Sequence, residues 1–298
     1  NDFVPKDSES FEIWKKLGIA EDHIHFYGDK KNWWSRSGTP DKMPVGEPGG
    51  TDSEVFFEFS QIEHDPKYGD KCHPNCGCGR FLEICNSVFI QYQKTDDGSF
   101  KELPQKNVDF GGGLERLTAA SSDKPDVFST DLYLPIIQSI SKKTGRKYQD
   151  ETVQENFRVI ADHIKAAAFL IADGISPSNK LQGYILRRLL RRSAVKFKGI
   201  CGTTENIKDL VEIAISVIDT YKGTNLLEVS TEKLESTISE EIESFSKTLD
   251  RGLKEIEKIE KIDGKIAFDL FQNFGFPYEV TEELFKQKGQ TINRAEFE

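Results

Sequence analysis

The sequence predicts an α+β protein, with an antiparallel sheet in its first half and helices alone in its second. Three apolar, β-branched or aromatic runs, at 55–59, at 87–93 and leading into Asp109, follow one another with no helical period between them. Strands in such succession pair antiparallel, because parallel neighbours need a long crossover. Beyond Gly145 the apolar residues recur at helical spacing instead. A boundary near residue 150 therefore separates a sheet-bearing domain over 1–150 from a helical domain over 151–298.

In chain order, residues 6–20 read as an amphipathic helix with Phe11, Ile13, Trp14 and Leu17 on one face. Residues 30–50 are crowded with glycine and proline and read as an irregular loop, yet they include Trp33 and Trp34. Such a pair either anchors the loop on a core or walls a ligand pocket. Asp96-Asp97-Gly98 marks a turn after the second strand. Helices are expected from 113 to 120 and from 131 to 144.

In the second half, Phe157, Ile160, Ile164, Ala167, Ala168 and Ile171 make one apolar helix face, stopped by Asp173-Gly174. Ser176-Pro177-Ser178-Asn179 is a turn. The next helix, over 183–198, carries Arg187 and Arg191, and Arg188 and Arg192, as two pairs four apart, with Leu186, Leu189, Leu190 and Val195 opposite. From 228 onward a long amphipathic helix is marked by Leu234, Ile238, Ile242, Phe245, Leu249, Leu253, Ile256 and Ile259. It packs within its domain or pairs as a coiled coil. Phe-Gln-Asn-Phe-Gly-Phe-Pro at 271–277 interrupts the helices.

Composition narrows the class. Of 298 residues, 37% are hydrophobic and 30% charged, which suits a globular chain rather than a disordered one. The apolar run at 166–172 falls well short of the roughly 18 residues of a membrane span, and the opening residues lack the basic and apolar parts of a signal peptide. Five cysteines in so long a chain do not make a secreted disulfide framework, so the expected compartment is the reducing cytosol. A net charge of −10 argues against nucleic-acid binding by the chain as a whole. The stretch 180–198, however, carries Lys180, the four arginines, Lys196 and Lys198 and no acid. An RNA backbone would meet it as a basic stripe; otherwise it is a solvated face.

Val108-Asp109-Phe110-Gly111-Gly112-Gly113-Leu114-Glu115-Arg116-Leu117 joins the last strand to a helix. A glycine turn running into a helix offers free N–H groups and the positive end of a dipole to a phosphate, with Arg116 in the first turn. Asp109, before the turn, suits an ammonium group. The plain alternative is an ordinary helix entry with a solvated arginine. A second cluster, Cys72-His73-Pro74-Asn75-Cys76-Gly77-Cys78-Gly79 with His64 upstream, holds three thiols that can converge on Zn²⁺. The spacing is not that of a paired zinc knuckle, and a reduced surface loop is the other reading.

Taken together these stretches resemble the alanyl-tRNA synthetases, a class II aminoacyl-tRNA synthetase family. The resemblance runs through Phe11-Glu12-Ile13-Trp14-Lys15-Lys16, Asn32-Trp33-Trp34, Asp52-Ser53-Glu54-Val55-Phe56-Phe57 and the stretch from Phe81 to Tyr92. The 109–117 stretch looks like class II motif 3. It continues in Arg158-Val159-Ile160-Ala161-Asp162-His163-Ile164-Lys165 and in Gly183-Tyr184-Ile185-Leu186-Arg187-Arg188-Leu189-Leu190-Arg191-Arg192. The resemblance implies activation of alanine with ATP and Mg²⁺ and transfer to tRNA(Ala). It implies that Arg116, with Glu83 and Gly113, meets ATP, and that Asp109 holds the alanine ammonium. Trp34, Asn86, Val88, Gly111 and Gly113 would then surround the amino acid. Asn179 would read the G·U pair of the tRNA acceptor stem from its minor groove, with Arg187, Arg188, Arg191 and Arg192 on the backbone.

The chain departs from the family in the short, cysteine-free loop 46–52, in Cys85 where tryptophan is common, and in Gln272 where an aspartate usually partners the asparagine. By the same resemblance, motifs 1 and 2 belong upstream of residue 1, and editing and C-terminal domains downstream of 298. The expectation is an alanine–tRNA ligase fragment, inactive by itself; the alternative is a non-catalytic tRNA-binding module derived from such an enzyme.

Overall fold

A four-stranded antiparallel sheet, in the order β1-β2-β3-β4, organises the first part of the computed structural model. The structure describes residues 4–297; Asn1, Asp2 and Phe3, part of the stretch read for a signal peptide, lie outside the described residues, as does Glu298. The expected strands are present and longer than their apolar runs: β2 (Pro48–Glu58), β3 (Phe81–Lys94) and β4 (Phe100–Gly112). The additional strand, β1 (Trp33–Ser35), lies where the sequence reads as irregular loop, and β2 begins inside that loop. Glycines hide this strand pairing. A Cβ on Gly50 would stand 1.7 Å from the Phe89 carbonyl oxygen, and one on Gly49 2.9 Å from that of Trp34. These glycines let three backbones approach, which a turn reading of Gly49-Gly50 misses.

Trp33 is buried with Val4 and Met43 and packs on Tyr92 and Phe100, so it anchors the loop, while Trp34 points to the other side and is exposed. The first helix, α1 (Ser8–Lys16), is shorter than expected and buries none of its residues completely; Ile13 and Leu17 face solvent. Its anchors are polar and aromatic instead. Asp7 caps the helix by accepting from the Ser10 amide and also accepts from the Thr51 hydroxyl, and Phe11 packs on Phe26. The helix α2 (Leu114–Ser121) follows β4 directly.

The chain divides into two compact units at Thr130/Asp131, earlier than the expected boundary near 150. The helix α3 (Leu134–Thr144) buries Ile136, Ile137 and Ile140 against α4 (Glu151–Ala172) and α6 (Asp209–Tyr221), so it belongs with the helices. The second unit continues with α5 (Leu181–Cys201), α7 (Thr231–Lys258), α8 (Gly264–Phe274), α9 (Tyr278–Gln287) and α10 (Arg294–Phe297). Helix limits follow the chain's punctuation. Asp150, Ser230 and Asp263 cap α4, α7 and α8 through their side chains. Gly145, Gly202 and Gly275 end α3, α5 and α8 in the left-handed region. The long helix α7 packs on α4, α5, α6 and α8. Gly252 makes room there for Phe276, whose ring a Cβ would meet at 2.3 Å. No described helix is long and apolar enough to cross a membrane.

Candidate functional site

Strand register assembles the first site. Asp52 lies opposite Val88 and Val88 opposite Asp109; Glu54 lies opposite Asn86 and Asn86 opposite Gly111. Trp34 lies opposite Gly50, which faces Ile90. Directly paired residues, and residues two apart on a strand, share a sheet face. Trp34, Asn86, Val88, Asp109 and Gly111 therefore stand on one face, together with Asp52 and Glu54. A bulge that skips Ile84 sets Glu83 opposite Phe56 and so returns it to this same face.

The polar interior of this face is incomplete. Asn86 donates from Nδ2 to Asp52 Oδ2 at 3.3 Å, but Asp52 Oδ1 and Asn86 Oδ1 are buried and accept no hydrogen bond. Burial raises the pKa of Asp52 above the usual carboxylate range, and the Asn86 hydrogen bond opposes this. Burial likewise raises that of Glu54, with the Asp52 and Glu83 charges adding to the shift. Two buried acceptors without donors cost free energy, and a donor-rich cation relieves both at once. The apolar Val88 lies beside them, buried. Asp52 stands in the 52–57 stretch that resembles the family but receives no role from the sequence alone; the alternation Asp52-Ser53-Glu54 inside a strand is the available signal.

The 108–117 stretch differs from the expected glycine turn. Gly111 and Gly112 continue β4, and Gly113 is the cap of α2; none of the three has a positive φ. Gly112 and Gly113 make room for neighbouring side chains, since a Cβ there would meet Phe110 at 3.4 Å and Arg116 at 3.2 Å, whereas Gly111 leaves open space. A Cβ on Gly111 would meet nothing within 4 Å, between Asp109 and the helix end that bears Arg116. Gly113 supplies no side-chain cap, and its own N–H donates to the Ile84 carbonyl at 3.1 Å. Arg116 Nη1 donates to both the carbonyl and Oε2 of Glu83, at 3.1 and 3.2 Å, and both side chains are partly exposed. Arg116 and Glu83 thus meet, while neither lines the main cavity. That cavity, of about 540 Å³, lies instead between α1, the 23–29 segment and β2, with Phe11, Trp14, Tyr27 and Asp52 in its wall.

His64, Cys72, Cys76 and Cys78 come together, their candidate ligand atoms all within 4.8 Å of one another. The His64 hydrogen bond pulls the Cys78 thiol down to about 6, while burial and hydrogen bonding to Cys78 push Cys72 up to about 11. Cys85 lies apart, in β3.

The basic stretch of α5 is not the open stripe its sequence suggests. Arg187 and Arg191 both pair with the buried Glu241 of α7, and Arg188 pairs with Glu279 of α9. Arg192 and Lys196 share Glu283, and Lys198 pairs with Asp250. The carboxylates come from other helices, which a search for acids within 180–198 cannot see. Burial disfavours the charge on Arg191, and Glu241 offsets this. The side chain also donates to the Gly275 carbonyl at 2.7 Å and lies over the Phe245 ring. Asn179 accepts from Arg187, and Gln272 is exposed on α8.

Comparison with known proteins gives the chain's relatives. The family model described as tRNA synthetases class II (A) matches residues 2–298. An alanine–tRNA ligase of Borreliella afzelii is 38% identical over 305 residues, covering 99% of this chain and 49% of that protein. That of Treponema denticola is 38% identical over 313 residues, covering 100% of this chain and 50% of the relative. That of Listeria innocua is 37% identical over 308 residues, covering 99% of this chain and 33% of the relative. The chain thus spans about half the length of the first two and a third of the last.

Proposed function

The chain belongs to the family described as tRNA synthetases class II (A), and from that premise we propose that it serves an alanine–tRNA ligase. In this reading ATP and alanine give alanyl-adenylate and pyrophosphate, and the alanyl group passes to the 3′ end of tRNA(Ala). The observation that carries it is the pair of buried, unpartnered acceptors on Asp52 and Asn86, in register with Asp109 on one sheet face. An α-ammonium group supplies a donor to each of these two acceptors and keeps a third N–H for Asp109. Val88 and Trp34, on the same sheet face, offer apolar surface to the methyl group, and the open space above Gly111 admits the carboxylate toward Arg116.

Arg116 is the phosphate-binding group, with Gly113 opening the approach and Mg²⁺ accompanying ATP. Its hydrogen bonds to Glu83 hold the guanidinium at the edge of β3, so nucleotide binding exchanges one anionic partner for another. The chemistry requires positioning and charge stabilisation rather than a covalent group on the protein. The helical unit supplies tRNA recognition. Asn179 is placed in the minor groove of the acceptor stem, and Lys180, the basic residue of the stretch with no carboxylate partner among the described residues, contacts phosphate. Arg187, Arg188, Arg191 and Arg192 present the α5 surface through their carboxylate pairs and reach the backbone only in part. The compartment consistent with three thiols at one site is the cytosol.

Alanine-dependent ATP–pyrophosphate exchange tests the proposal on the chain by itself and within a protein of the relatives' full length. We expect exchange in the long form and none in the chain alone. Absence of exchange in both, with acceptor-stem RNA still bound, would support a non-catalytic tRNA-binding module instead.

A further inference from the structure

We propose that His64, Cys72, Cys76 and Cys78 form a closed structural zinc site that folds the connection between β2 and β3. Four ligand atoms at about 2.3 Å (sulfur) and 2.0–2.1 Å (nitrogen) from a tetrahedral Zn²⁺ stand about 3.5–3.8 Å from one another. Cys72 Sγ and Cys78 Sγ are 3.5 Å apart, and Cys76 Sγ is 3.6 Å from His64 Nδ1. Two of the six edges are therefore already at the size a bound Zn²⁺ sets, and the others lie within 4.8 Å, about 1 Å above it.

The histidine is oriented for the task. His64 Nε2 lies 2.7 Å from the Gly69 carbonyl oxygen, so this nitrogen carries the proton and donates. That fixes the tautomer in which Nδ1, the nitrogen facing Cys76, keeps its lone pair for a metal. A carbonyl acceptor behind a ligating imidazole is the usual outer support of such sites. Three thiolates and one imidazole favour zinc over hard, oxygen-seeking ions, and four protein ligands leave no open coordination position for chemistry.

The surrounding chain needs such a fastening. Between Glu58 and Phe81 the regular structure is limited to the 3₁₀ turn Pro66–Tyr68. Connections of this length without structure of their own are uncommon in compact units. The loop ends are held by Phe59 N–H donating to the Arg80 carbonyl and by Arg80 pairing with Glu58. Gly69 and Gly79, both in the left-handed region, turn the chain at each side of the cysteines. The middle is joined elsewhere by the hydrogen bond between the Tyr27 hydroxyl and His73 Nδ1, 2.9 Å long, and Pro74 and Asn75 wall the main cavity. Metal at this site therefore orders one wall of that cavity as well as its own loop.

Metal analysis of the chain purified under reducing conditions, stripped with chelator and reloaded with Zn²⁺, tests the inference. We expect about one tightly held zinc per chain, and Co²⁺ in its place giving the intense visible bands of tetrahedral thiolate coordination. His64→Ala and Cys76→Ser should weaken zinc binding by more than about 100-fold, His64→Cys should restore it, and Cys201→Ser should leave it unchanged. Stripping should open residues 59–80 to protease and hydrogen exchange while the helical unit stays protected, which separates local loss of metal from failure to fold. No stoichiometric zinc on reloading, octahedral cobalt spectra, or full zinc affinity in both His64→Ala and Cys76→Ser would overturn the assignment.

Discussion

Two arginines, each held by a glutamate, show how differently the two units use charge. Arg116 in the sheet unit rests on Glu83 in partial exposure, at the end of a strand whose Val108 and Phe110 are open to solvent. Arg191 in the helical unit is largely enclosed by Glu241, the Gly275 carbonyl and the Phe245 ring. Exposed ion pairs are readily exchanged for another partner, whereas buried ones become structural because separating them leaves an unpaired charge. The sheet unit leaves its arginine–glutamate pair open to solvent; the helical unit uses its charges on itself.

The largest test of that contrast is packing. Phe276→Ala, beside Gly252 and Phe245, should cost about 3–5 kcal/mol of helical-unit stability, read by urea unfolding. Phe110→Ala on exposed β4 should change stability by less than about 0.5 kcal/mol. The arginines come next. In a protein of full relative length, Arg116→Ala should lower pyrophosphate exchange by about 100- to 1,000-fold with stability nearly unchanged. Arg191→Ala should cost about 3 kcal/mol of stability, whereas the more exposed Arg188→Ala should cost no more than about 1 kcal/mol. Loss of RNA binding by an Arg188→Ala/Arg191→Ala double variant is then interpretable only beside Arg188→Ala and Lys180→Ala. If Arg191→Ala is as stable as the parent, the contrast between the units fails.

Opposite pH signs sharpen it further. Asp52 has a folded pKa raised by burial, so its contribution to stability is complete below the unfolded value of about 3.9 and is lost as pH rises through the folded one. Asp52→Asn should therefore stabilise the sheet unit at neutral pH while weakening alanine binding by about 10- to 100-fold. Asp150, the cap of α4, is instead lowered to about 2 by hydrogen bonds from Arg146 and Thr152. Its contribution is present above about 3.9 and is lost as pH falls toward 2, a smaller effect visible as faster amide exchange in the first turn of α4.

How much of this the residues disclosed in advance depends on the range of the interactions. Helix faces such as Phe157 to Ile171, and stops such as Gly174, are local patterns, and the structure has them where they were expected. The strand β1 was obscured because its pairing rests on two glycines that also look like a turn. The carboxylates that pair with α5 lie dozens of residues away, Glu155 upstream on α4 and the rest downstream on α7 and α9, so no local count could reveal them. The convergence of Trp34, Asn86, Val88, Asp109 and Gly111 on one face needed the register of four strands, and that of Glu83 a bulge as well. Asp52 needed knowledge of what its buried oxygen lacks.

Titration of alanine into the isotope-labelled chain, followed by amide chemical shifts, tests the central assignment most directly. The account predicts saturable shifts centred on Asp52, Asn86, Val88, Asp109 and Gly111, sharply weakened in Asp109→Asn. Saturable shifts centred instead on the cavity wall at Phe11 and Tyr27, or an undiminished response in Asp109→Asn, would contradict it.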